Sequence, residues 1–435
     1  MKYTMYFVDM YMKTIFSFFF MSFFGVSFCF ALNDLTTQSV LVSNYDGNPV
    51  ALFKESDDSG LAYLQYDKAS KSWTGNWVSL GGALNSGFVR SLSAVKNATG
   101  VLRGVIASDN SGNIAIYAYN SGLNTWQEMS HLSSIRGTNN IVFVKGLSFD
   151  KNSFGIVAVN ESVPNYTLDF YKMSYNEYAK DSLTVEDKTK QQFKLKGVEA
   201  KNNIEHIYPI YNKSKLKGVI VTSNTSATVS YVHYCKYSLS SRDQCERVAR
   251  YNHPIEASEV VYTRDNNIDG FIVKAGTSAY FLPYSRGELD GRHQEQLTLS
   301  VWDTVDDIHS VTSKDGETIG VVAVFMNGLV KYLPHSSGWK NHIWKILRNA
   351  SVEDYIKQSQ EFDDHDGKHY LFIGDATGRV EYLVNDDNFK ATSWKLIGDN
   401  KGTITKFIPF LTANGDLESV ESLFLNPFSS VSIEI

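Results

Sequence analysis

The chain contains few cysteines, few prolines and no convincing helical pattern. Three cysteines and eight prolines occur among 435 residues. The only two cysteines beyond the first thirty residues stand ten positions apart with no histidine pair nearby, which disfavours a structural zinc site because zinc needs four ligands. No amphipathic run of helical period has a convincing length. These absences argue against a helical fold and against a metal-stabilised one.

Basic stripes and enzyme signatures are missing as well. The chain has 41 lysines and arginines against 47 acidic residues, a net charge of −6, and no arginine-rich run. Nucleic acid is therefore not expected as a partner. The sequence after the first segment has no HExxH, GxSxG, phosphate-loop or Cys/His nucleophile pattern. We expect no enzyme activity, no cofactor and no metal site.

One long apolar run stands near the start of the chain. Residues 15–31, IFSFFFMSFFGVSFCFA, follow Lys2 and Lys13 and end in a small residue, as secretory signal peptides do. Cleavage is expected after Ala31, which makes residues 1–31 a signal peptide and residues 32–435 a single domain. An uncleaved anchor is the alternative, because about 17 apolar residues is the lower edge of a membrane span. The segment predicts a secretory-pathway protein, in the lumen, at the cell surface or outside the cell.

Two further features agree with that route. Cys235 and Cys245 flank a turn between two strand-like runs, so an oxidising compartment could join them in a disulfide. Sequons of the form Asn-x-Ser/Thr predict a glycoprotein, and all lie near clusters typical of loops or strand ends. The six sequon asparagines are Asn97, Asn160, Asn165, Asn212, Asn224 and Asn349.

A repeat of about 50 residues runs along the chain. Each unit has an apolar strand, a short turn and an aromatic strand, as in SDNSG followed by NIAIYAY. The turns recur at intervals of 52, 53, 61, 50, 52, 50 and 49 residues. The turn positions are Gly60, Gly112, Asn165, Ser226, Gly276, Gly328, Gly378 and Pro427. A fixed period with four short strands per unit is the signature of an all-β propeller.

The strand count predicts how this propeller closes. Seven units supply four strands, whereas the eighth ends at Ile435 after its third. A strand from residues 32–38 would complete the eighth blade and remove the exposed edges. We favour eight blades, with seven as the alternative because LNDLTTQ is short and weakly strand-like.

Tryptophans open the fourth strand of several units. Trp73, Trp126, Trp344 and Trp394 follow their turn residue by 13, 14, 16 and 16 positions. We expect these aromatics, with Tyr117, Tyr119 and Tyr382, to pack between adjacent blades, where large side chains fill the gap.

The second and seventh units resemble the fungal fucose-specific lectins and their relatives. The shared features are an Asp-x-x-Gly turn, an alternating strand with tyrosine (GNIAIYAYN, GRVEYLVND), an Asn or Asp turn, and then a tryptophan. That resemblance implies sugar pockets between blades, built from an arginine, a glutamate or glutamine, and an aromatic platform. Arg379, Glu381 and Trp394 supply these types in the seventh unit. The second unit has Asn113 and Ala115 at the first two positions, so repeated fucose sites are not expected.

The sequence thus predicts a non-catalytic binding propeller whose partners are glycans or a glycoprotein. The alternative is a protein-interaction scaffold without a small-molecule site. A glycoside hydrolase with paired carboxylates in a propeller channel is a third, less favoured possibility.

Overall fold

The computed structural model describes most of the chain after Gln38, with gaps that fall mainly between strands. It covers residues 39–434 except 44–48, 56–60, 68–71, 74–75, 81–83, 85–88, 97–101, 110–112, 121–124, 129–140, 150–152, 163–164, 177–181, 200–202, 213–214, 227, 238–244, 266, 298–304, 314–316, 326, 336–338, 340–342, 351–355, 364–367, 376, 386–393, 400–403, 412–416 and 425–429. By internal contacts the chain divides into Met1–Ser39 and Val40–Ile435. The predicted signal peptide and residues 32–38 lie outside the described residues.

Within the described ranges the strands form eight sheets, taken here in chain order. The first contains β1 (Ser39–Ser43), β2 (Pro49–Glu55), β3 (Leu61–Asp67), β4 (Ser72–Trp73) and β5 (Val78–Ser79). The second contains β6 (Val89–Lys96), β7 (Leu102–Asp109), β8 (Ile114–Asn120) and β9 (Thr125–Glu128). The third contains β10 (Ile141–Ser148), β11 (Phe154–Ser162), β12 (Asn165–Asn176) and β13 (Ser182–Glu199). The fourth contains β14 (Asn203–Asn212), β15 (Lys215–Ser226), β16 (Val229–Lys236) and β17 (Glu246–Tyr251).

The remaining four sheets follow the same plan. The fifth contains β18 (Ile255–Tyr262), β19 (Ile268–Ala275), β20 (Ser278–Ser285), β21 (Glu288–Leu289) and β22 (Glu295–Leu297), with a 3-10 turn at Gly291–His293. The sixth contains β23 (Val305–Thr312), β24 (Thr318–Phe325), β25 (Val330–Pro334) and β26 (Lys345–Arg348). The seventh contains β27 (Ile356–Asp363), β28 (His369–Asp375), β29 (Arg379–Asn385) and β30 (Lys395–Asp399). The eighth contains β31 (Ile404–Leu411), β32 (Leu417–Phe424) and β33 (Ser430–Glu434).

The sequence repeat and the sheets coincide. Every predicted turn position falls at the junction between the second and third strands of a sheet. Gly276, Gly328 and Gly378 have φ of 64°, 79° and 93°, a left-handed conformation that glycine adopts without a Cβ clash. The chain has the all-β propeller architecture that the repeat predicts. Closure by residues 32–38, and with it the blade number, stays a prediction.

Apolar clusters fill the spaces between consecutive sheets. Phe53 and Leu61 of the first sheet meet Val105 and Trp126 of the second, and equivalent clusters follow between each next pair up to the seventh sheet. Between the seventh and eighth sheets, the ring centroids of Phe372 and Phe407 lie 5.7 Å apart. Burying each such side chain stabilises the fold by about 1.5–3 kcal/mol. The packing therefore ties each sheet to the next along the chain.

The predicted aromatic packing is confirmed for the described tryptophans. Trp126 is 2% exposed and its indole N–H donates to Gln65 Oε1 of the preceding sheet at 3.3 Å. Trp344 and Trp394 precede the last strands of their sheets and pack against the clusters shared with the preceding sheets. Large aromatic side chains thus occupy the gaps between sheets.

The predicted disulfide is present. Cys235 and Cys245 are bonded, with their Cα atoms 4.1 Å apart. Cys235 lies near the end of β16 and Cys245 directly precedes β17, its antiparallel neighbour. Both are buried in the cluster between the third and fourth sheets. The bond therefore joins the third and fourth strands of the fourth sheet.

Candidate functional site

The first strands of the sheets are neighbours on the inside of the fold. β6 contacts β10, β18 contacts β23, and β23 contacts β27, which contacts β31. We call these first strands the inner strands and the space that they face the channel. Side chains from sheets that are not adjacent act on each other across it, since Asp307 of the sixth sheet influences the pKa of His206 of the fourth. Residues on the inner strands are therefore the first place to seek a shared site.

A β-bulge recurs near the start of the inner strands and determines which of their residues lie on the same face of the strand. The pairing with the second strand shifts register after the first or second residue of seven inner strands. Such bulges re-aim side chains at the rims of β structures. The residues that follow the shift are Ser91, Phe143, His206, Ala257, Asp307, Gln358 and Lys406. Two positions later, on the same strand face, stand Ser93, Lys145, Tyr208, Glu259, His309, Gln360 and Ile408.

Polar side chains gather where the fifth, sixth and seventh sheets meet the channel. They surround a cavity of about 490 Å³, which we call the channel pocket. It is lined by Glu259 of β18, by His309, Ser310 and Thr312 of β23, and by residues 358–361 of β27. The volume is within the usual range for small-ligand sites, about 300–1,000 Å³. The lining is unusual for such a site because every side chain in it is polar or ionisable.

Three side chains at one wall of the channel pocket form a hydrogen-bonded group. His309 Nε2 and Ser359 Oγ lie 2.8 Å apart, and Ser359 Oγ donates to Asp307 Oδ2 over 3.4 Å. Asp307 Oδ2 also lies 3.5 Å from His309 Nε2, while its Oδ1 accepts from the backbone N–H of Ile308. A catalytic relay needs the carboxylate on Nδ1 and the nucleophile on Nε2. Here both meet Nε2, so the arrangement positions the serine without the geometry that activates it.

The surroundings of Glu259 strongly disfavour its ionised form. Burial, with the nearby negative charge of Asp307 adding to it, raises the pKa of Glu259 to about 8. Both causes act in the same direction, because each disfavours the ionised form. At neutral pH the Glu259 carboxyl is thus a hydrogen-bond donor as well as an acceptor.

The inner strands of the third and fourth sheets carry a lysine and a histidine. Burial lowers the pKa of Lys145 on β10. His206 on β14 is exposed, yet partial desolvation of its ring lowers its pKa, and the positive charge of Lys145 lowers it further. The inner strand of the third sheet thus presents a lysine to the channel and that of the fourth an imidazole that is neutral at pH 7, whereas those of the fifth and sixth present Glu259 and Asp307.

Hydroxyl groups join the inner strands of the fourth and fifth sheets. Tyr208 Oη lies 2.9 Å from both the carbonyl oxygen and Oγ of Ser258. Burial is the largest cause that raises the pKa of the Tyr208 hydroxyl, so it stays protonated. The Tyr208–Ser258 and His309–Ser359 pairs occupy equivalent positions of the repeat, 50 residues apart within each pair.

The fold matches that of solved propellers. Sqt1 from Saccharomyces cerevisiae has a TM-score of 0.56 at 12% identity, and the match covers 92% of this chain and 96% of that one. Sqt1 from Chaetomium thermophilum has a TM-score of 0.53 at 11% identity, over 88% and 93% of the two chains. At such identity the likeness shows the fold alone. No protein-family model matches the chain, and no curated protein matches it.

Two of the three residues that sequence analysis predicts for a sugar site lie in direct contact. Arg379 Nη2 donates to Glu381 Oε1 at 2.5 Å. The other oxygen of the Glu381 carboxylate accepts from Arg348 of the preceding sheet, with Nε at 3.0 Å and Nη2 at 2.9 Å. The glutamate is therefore held between two guanidinium groups from adjacent sheets.

The third residue, Trp394, packs beside this pair of sheets. Its ring lies against the apolar cluster between the sixth and seventh sheets, and its indole N–H donates to the Leu347 carbonyl oxygen at 3.0 Å. The side chain of Arg379 is 40% exposed, whereas those of Glu381 and Arg348 are 10% and 12% exposed. Arg379 is thus the member of the group that water reaches most.

Sequence analysis missed Arg348 and every residue of the channel pocket. Arg348 belongs to a different repeat, and nothing in the local sequence connects it with Glu381. The sequence does contain a pattern that could have indicated the pocket, because the repeat aligns Asp307 with Gln358, and His309 with Gln360 and Glu259. The pattern can be recognised only when the position of the β-bulge in each inner strand is known, and the strand pairing gives that position.

The sequon asparagines differ in their surroundings. Asn97 lies outside the described residues, and Asn165 and Asn212 stand at strand ends. Asn160 lies within β11, is 7% exposed and donates its amide to Asp169. Asn224 donates to Glu205 Oε1 and accepts from the Ile255 backbone N–H. Asn349 is exposed just after β26.

The described part of the chain has neither a metal-ligand cluster nor a helix that could span a membrane. Across the described ranges, no three histidine, cysteine or acidic side chains lie where they could hold one metal ion. In that same part of the chain, no helix has the length and apolar character to cross a membrane.

Proposed function

We propose that this protein is a binding propeller without catalytic activity that holds a partner protein at the channel pocket. The pocket carries the proposal because its polar lining comes from three successive inner strands. A polar cavity of this size suits a side chain inserted by a partner, since buried polar groups on both sides can be paired. The fold supports a binding role in general terms.

The geometry around His309 favours binding over catalysis. If Nε2–H donates to Ser359 Oγ, the serine hydroxyl donates to Asp307, and all three groups are satisfied. In that state Nε2 already carries its proton and cannot accept another from the serine. The imidazole then does not act as a base, and the serine oxygen keeps one lone pair that can accept a hydrogen bond from a ligand.

Partner capture with a blocked pocket tests this proposal. The full chain, expressed through a secretory host and immobilised, would be cross-linked to proteins of the same compartment, and each candidate would then be purified and titrated. Gln360→Trp fills the pocket without changing its charge and should weaken binding at least tenfold. Gln296→Trp, at an exposed position of β22 outside the pocket, is the matched control and should bind as the wild type does. Equal binding by all three proteins would contradict a pocket-centred interface.

Glycan binding is a second candidate, at the group formed by Arg348, Glu381 and Arg379 with Trp394 nearby. The observation that favours it is the position of this group between adjacent sheets, which is where lectin-type propellers hold sugars. A carboxylate fixed by two guanidinium groups supplies planar, preoriented hydrogen-bond partners. An array of immobilised glycans should show saturable binding that free sugar competes away. Arg379→Ala and Trp394→Ala should abolish that binding without unfolding, and binding that survives both would exclude this site.

We also propose that the protein follows the secretory route, as its apolar first segment and its disulfide suggest. Peptide mapping of the secreted protein should find a glycan on Asn349, which is exposed. Asn160 should be unmodified, because its amide group is buried against Asp169. Ser351→Ala removes the Asn349 sequon and keeps the asparagine, so it should remove that glycan alone. A glycan on Asn160, or none on Asn349, would contradict this assignment.

A further inference from the structure

The charges around the channel pocket point to a particular kind of ligand. Two of its eight lining residues are glutamates, Glu259 and Glu361, and none is lysine or arginine. A third carboxylate, Asp307, contacts His309 and Ser359 of the lining. The other lining side chains are the His309 imidazole and a set of hydroxyls and amides, whose oxygens accept hydrogen bonds. The pocket therefore offers acceptors on several sides and a negative charge.

A metal ion does not fit this arrangement as well as an organic cation does. No three acidic or histidine side chains converge on one point within the described ranges. The cavity of about 490 Å³ is much larger than a single ion requires. An ammonium or guanidinium group on a carbon stem fills more of such a space, and its several N–H donors match spread-out acceptors.

We propose that the channel pocket binds a basic side chain, lysine or arginine, that a partner protein inserts between Glu259 and Glu361. This inference rests on the proposed function and adds the chemistry of the inserted group. The partner's ammonium or guanidinium would donate to the glutamates and to the amide and hydroxyl oxygens of Gln358 and Ser359. Lys145, on the inner strand of the third sheet, would disfavour a second positive charge beside it.

The ionisation of Glu259 gives a second, independent way to detect binding of a cation, through the pH dependence of the affinity. A cation favours the ionised carboxylate, so binding should release a proton from Glu259, whose pKa is about 8 in the free protein. Affinity should then rise with pH, by roughly tenfold or more between pH 6.5 and 8.5. Other titratable groups face the same space, and the comparison with Glu259→Gln isolates the contribution of Glu259. They are Asp307 and His309 of β23, Glu361 of β27, Tyr208 and His206 of β14, Lys145 of β10, and Tyr262 of β18 itself.

The test is a titration of the full chain with capped pentapeptides, Ac-Gly-Gly-X-Gly-Gly-NH2, in which X is lysine, arginine, glutamine or glutamate. Lysine and arginine peptides should bind saturably and at least tenfold more tightly than the glutamine and glutamate peptides. Glu259→Gln should weaken the lysine peptide several-fold and abolish the pH dependence. Glu288→Gln, on an outer hairpin strand, is the matched control and should have no effect.

Position 360 provides a second pair of variants that does not depend on how Glu259→Gln folds. Gln360→Glu adds a negative charge to the lining and should tighten the lysine peptide, whereas Gln360→Lys should weaken it at least tenfold. Equal binding of the lysine and glutamine peptides, or no response to either change at position 360, would overturn the inference. A partner protein could fail to bind Gln360→Trp and yet bind Gln360→Glu and Gln360→Lys equally well. That result would support the channel pocket as the partner's binding site and would overturn the inference that the partner inserts a basic side chain.

The source of the basic group is tested with butylamine, which carries the same ammonium group without a peptide. Binding of the lysine peptide at least tenfold more tightly than butylamine would support a protein side chain as the ligand. Equal affinity for the two would overturn that assignment and identify a site for small amines instead.

Discussion

Tyr208 and Ser258, 50 residues apart in the chain, join the inner strands of two neighbouring sheets through a pair of hydroxyl groups 2.9 Å apart. The same tyrosine oxygen also donates to the Ser258 carbonyl. Because the two sheets have no shared backbone ladder here, these side-chain contacts supplement the apolar cluster between the fourth and fifth sheets. The same relationship holds for His309 and Ser359, which places an imidazole of the channel pocket at the equivalent point of the repeat.

Replacing Tyr208 with phenylalanine should lower the free energy of unfolding by about 0.5–1.5 kcal/mol, the net value of a typical hydrogen bond. The ring of Tyr208 still packs against Phe271, so little apolar contact is lost. Urea unfolding followed by fluorescence measures the change. Tyr231→Phe is the control, because its ring contacts Arg247 and His233 and it should be nearly neutral. Equal effects of the two changes would show that the Tyr208 hydroxyl contributes nothing to stability.

Replacing Cys235 and Cys245 together with alanine should destabilise the protein by about 2–3 kcal/mol, because the disulfide restrains a short loop in the unfolded chain. The midpoint of urea unfolding under oxidising conditions measures this loss. Adding a reductant to the wild type should move its midpoint toward that of the variant and leave the variant unchanged. A variant as stable as the oxidised wild type would contradict a structural role for the bond.

Stability should depend on pH through Glu259. Its pKa is about 8 in the folded protein and ordinary in the unfolded chain, so the folded state binds the extra proton. The contribution of Glu259 to the unfolding free energy is therefore full below the ordinary pKa of a glutamate and is lost as pH rises toward 8. Glu259→Gln stays uncharged and lacks this loss. Unfolding at pH 5 and pH 8.5 should show a larger decrease for the wild type than for the variant, whereas parallel decreases would disprove the assignment.

The two arginines that contact Glu381 should differ in importance. Arg348→Ala removes a mostly buried partner and leaves the carboxylate underpaired, which should cost about 3–5 kcal/mol. Arg379→Ala removes a partly exposed partner and should cost about 1 kcal/mol or less. Thermal and urea unfolding of both variants measure the difference. Adding Glu381→Gln to Arg348→Ala should recover part of the lost stability, because the glutamine carries no charge that needs a partner. If no stability is recovered, the loss in Arg348→Ala comes from contacts of Arg348 other than the one with Glu381.

The fold could be predicted from the sequence to a large extent, and the channel pocket could not. The turn positions, the aromatic third strands and the tryptophans before the fourth strands all follow from local patterns with a fixed spacing. The contact between Arg379 and Glu381 follows from their spacing of two on one strand. The contact between Arg348 and Glu381 could not be predicted in this way, because Arg348 belongs to another repeat. His309 and Ser359 likewise meet only because two inner strands pack side by side.

The sequence by itself determined the class of fold, the repeat and the cysteine pair, since each depends on neighbours within about 50 residues. Strand alternation, turn glycines and the hairpin between Cys235 and Cys245 are set by local backbone sterics and by which residues avoid water. Only the tertiary structure decided which polar residues share a site. That choice depends on the bulges near the starts of the inner strands and on the packing of consecutive sheets, which bring Glu259, His309 and Glu361 around one cavity. Long-range packing between strands, rather than the local conformational preference of any segment, therefore determines which polar side chains form the candidate site.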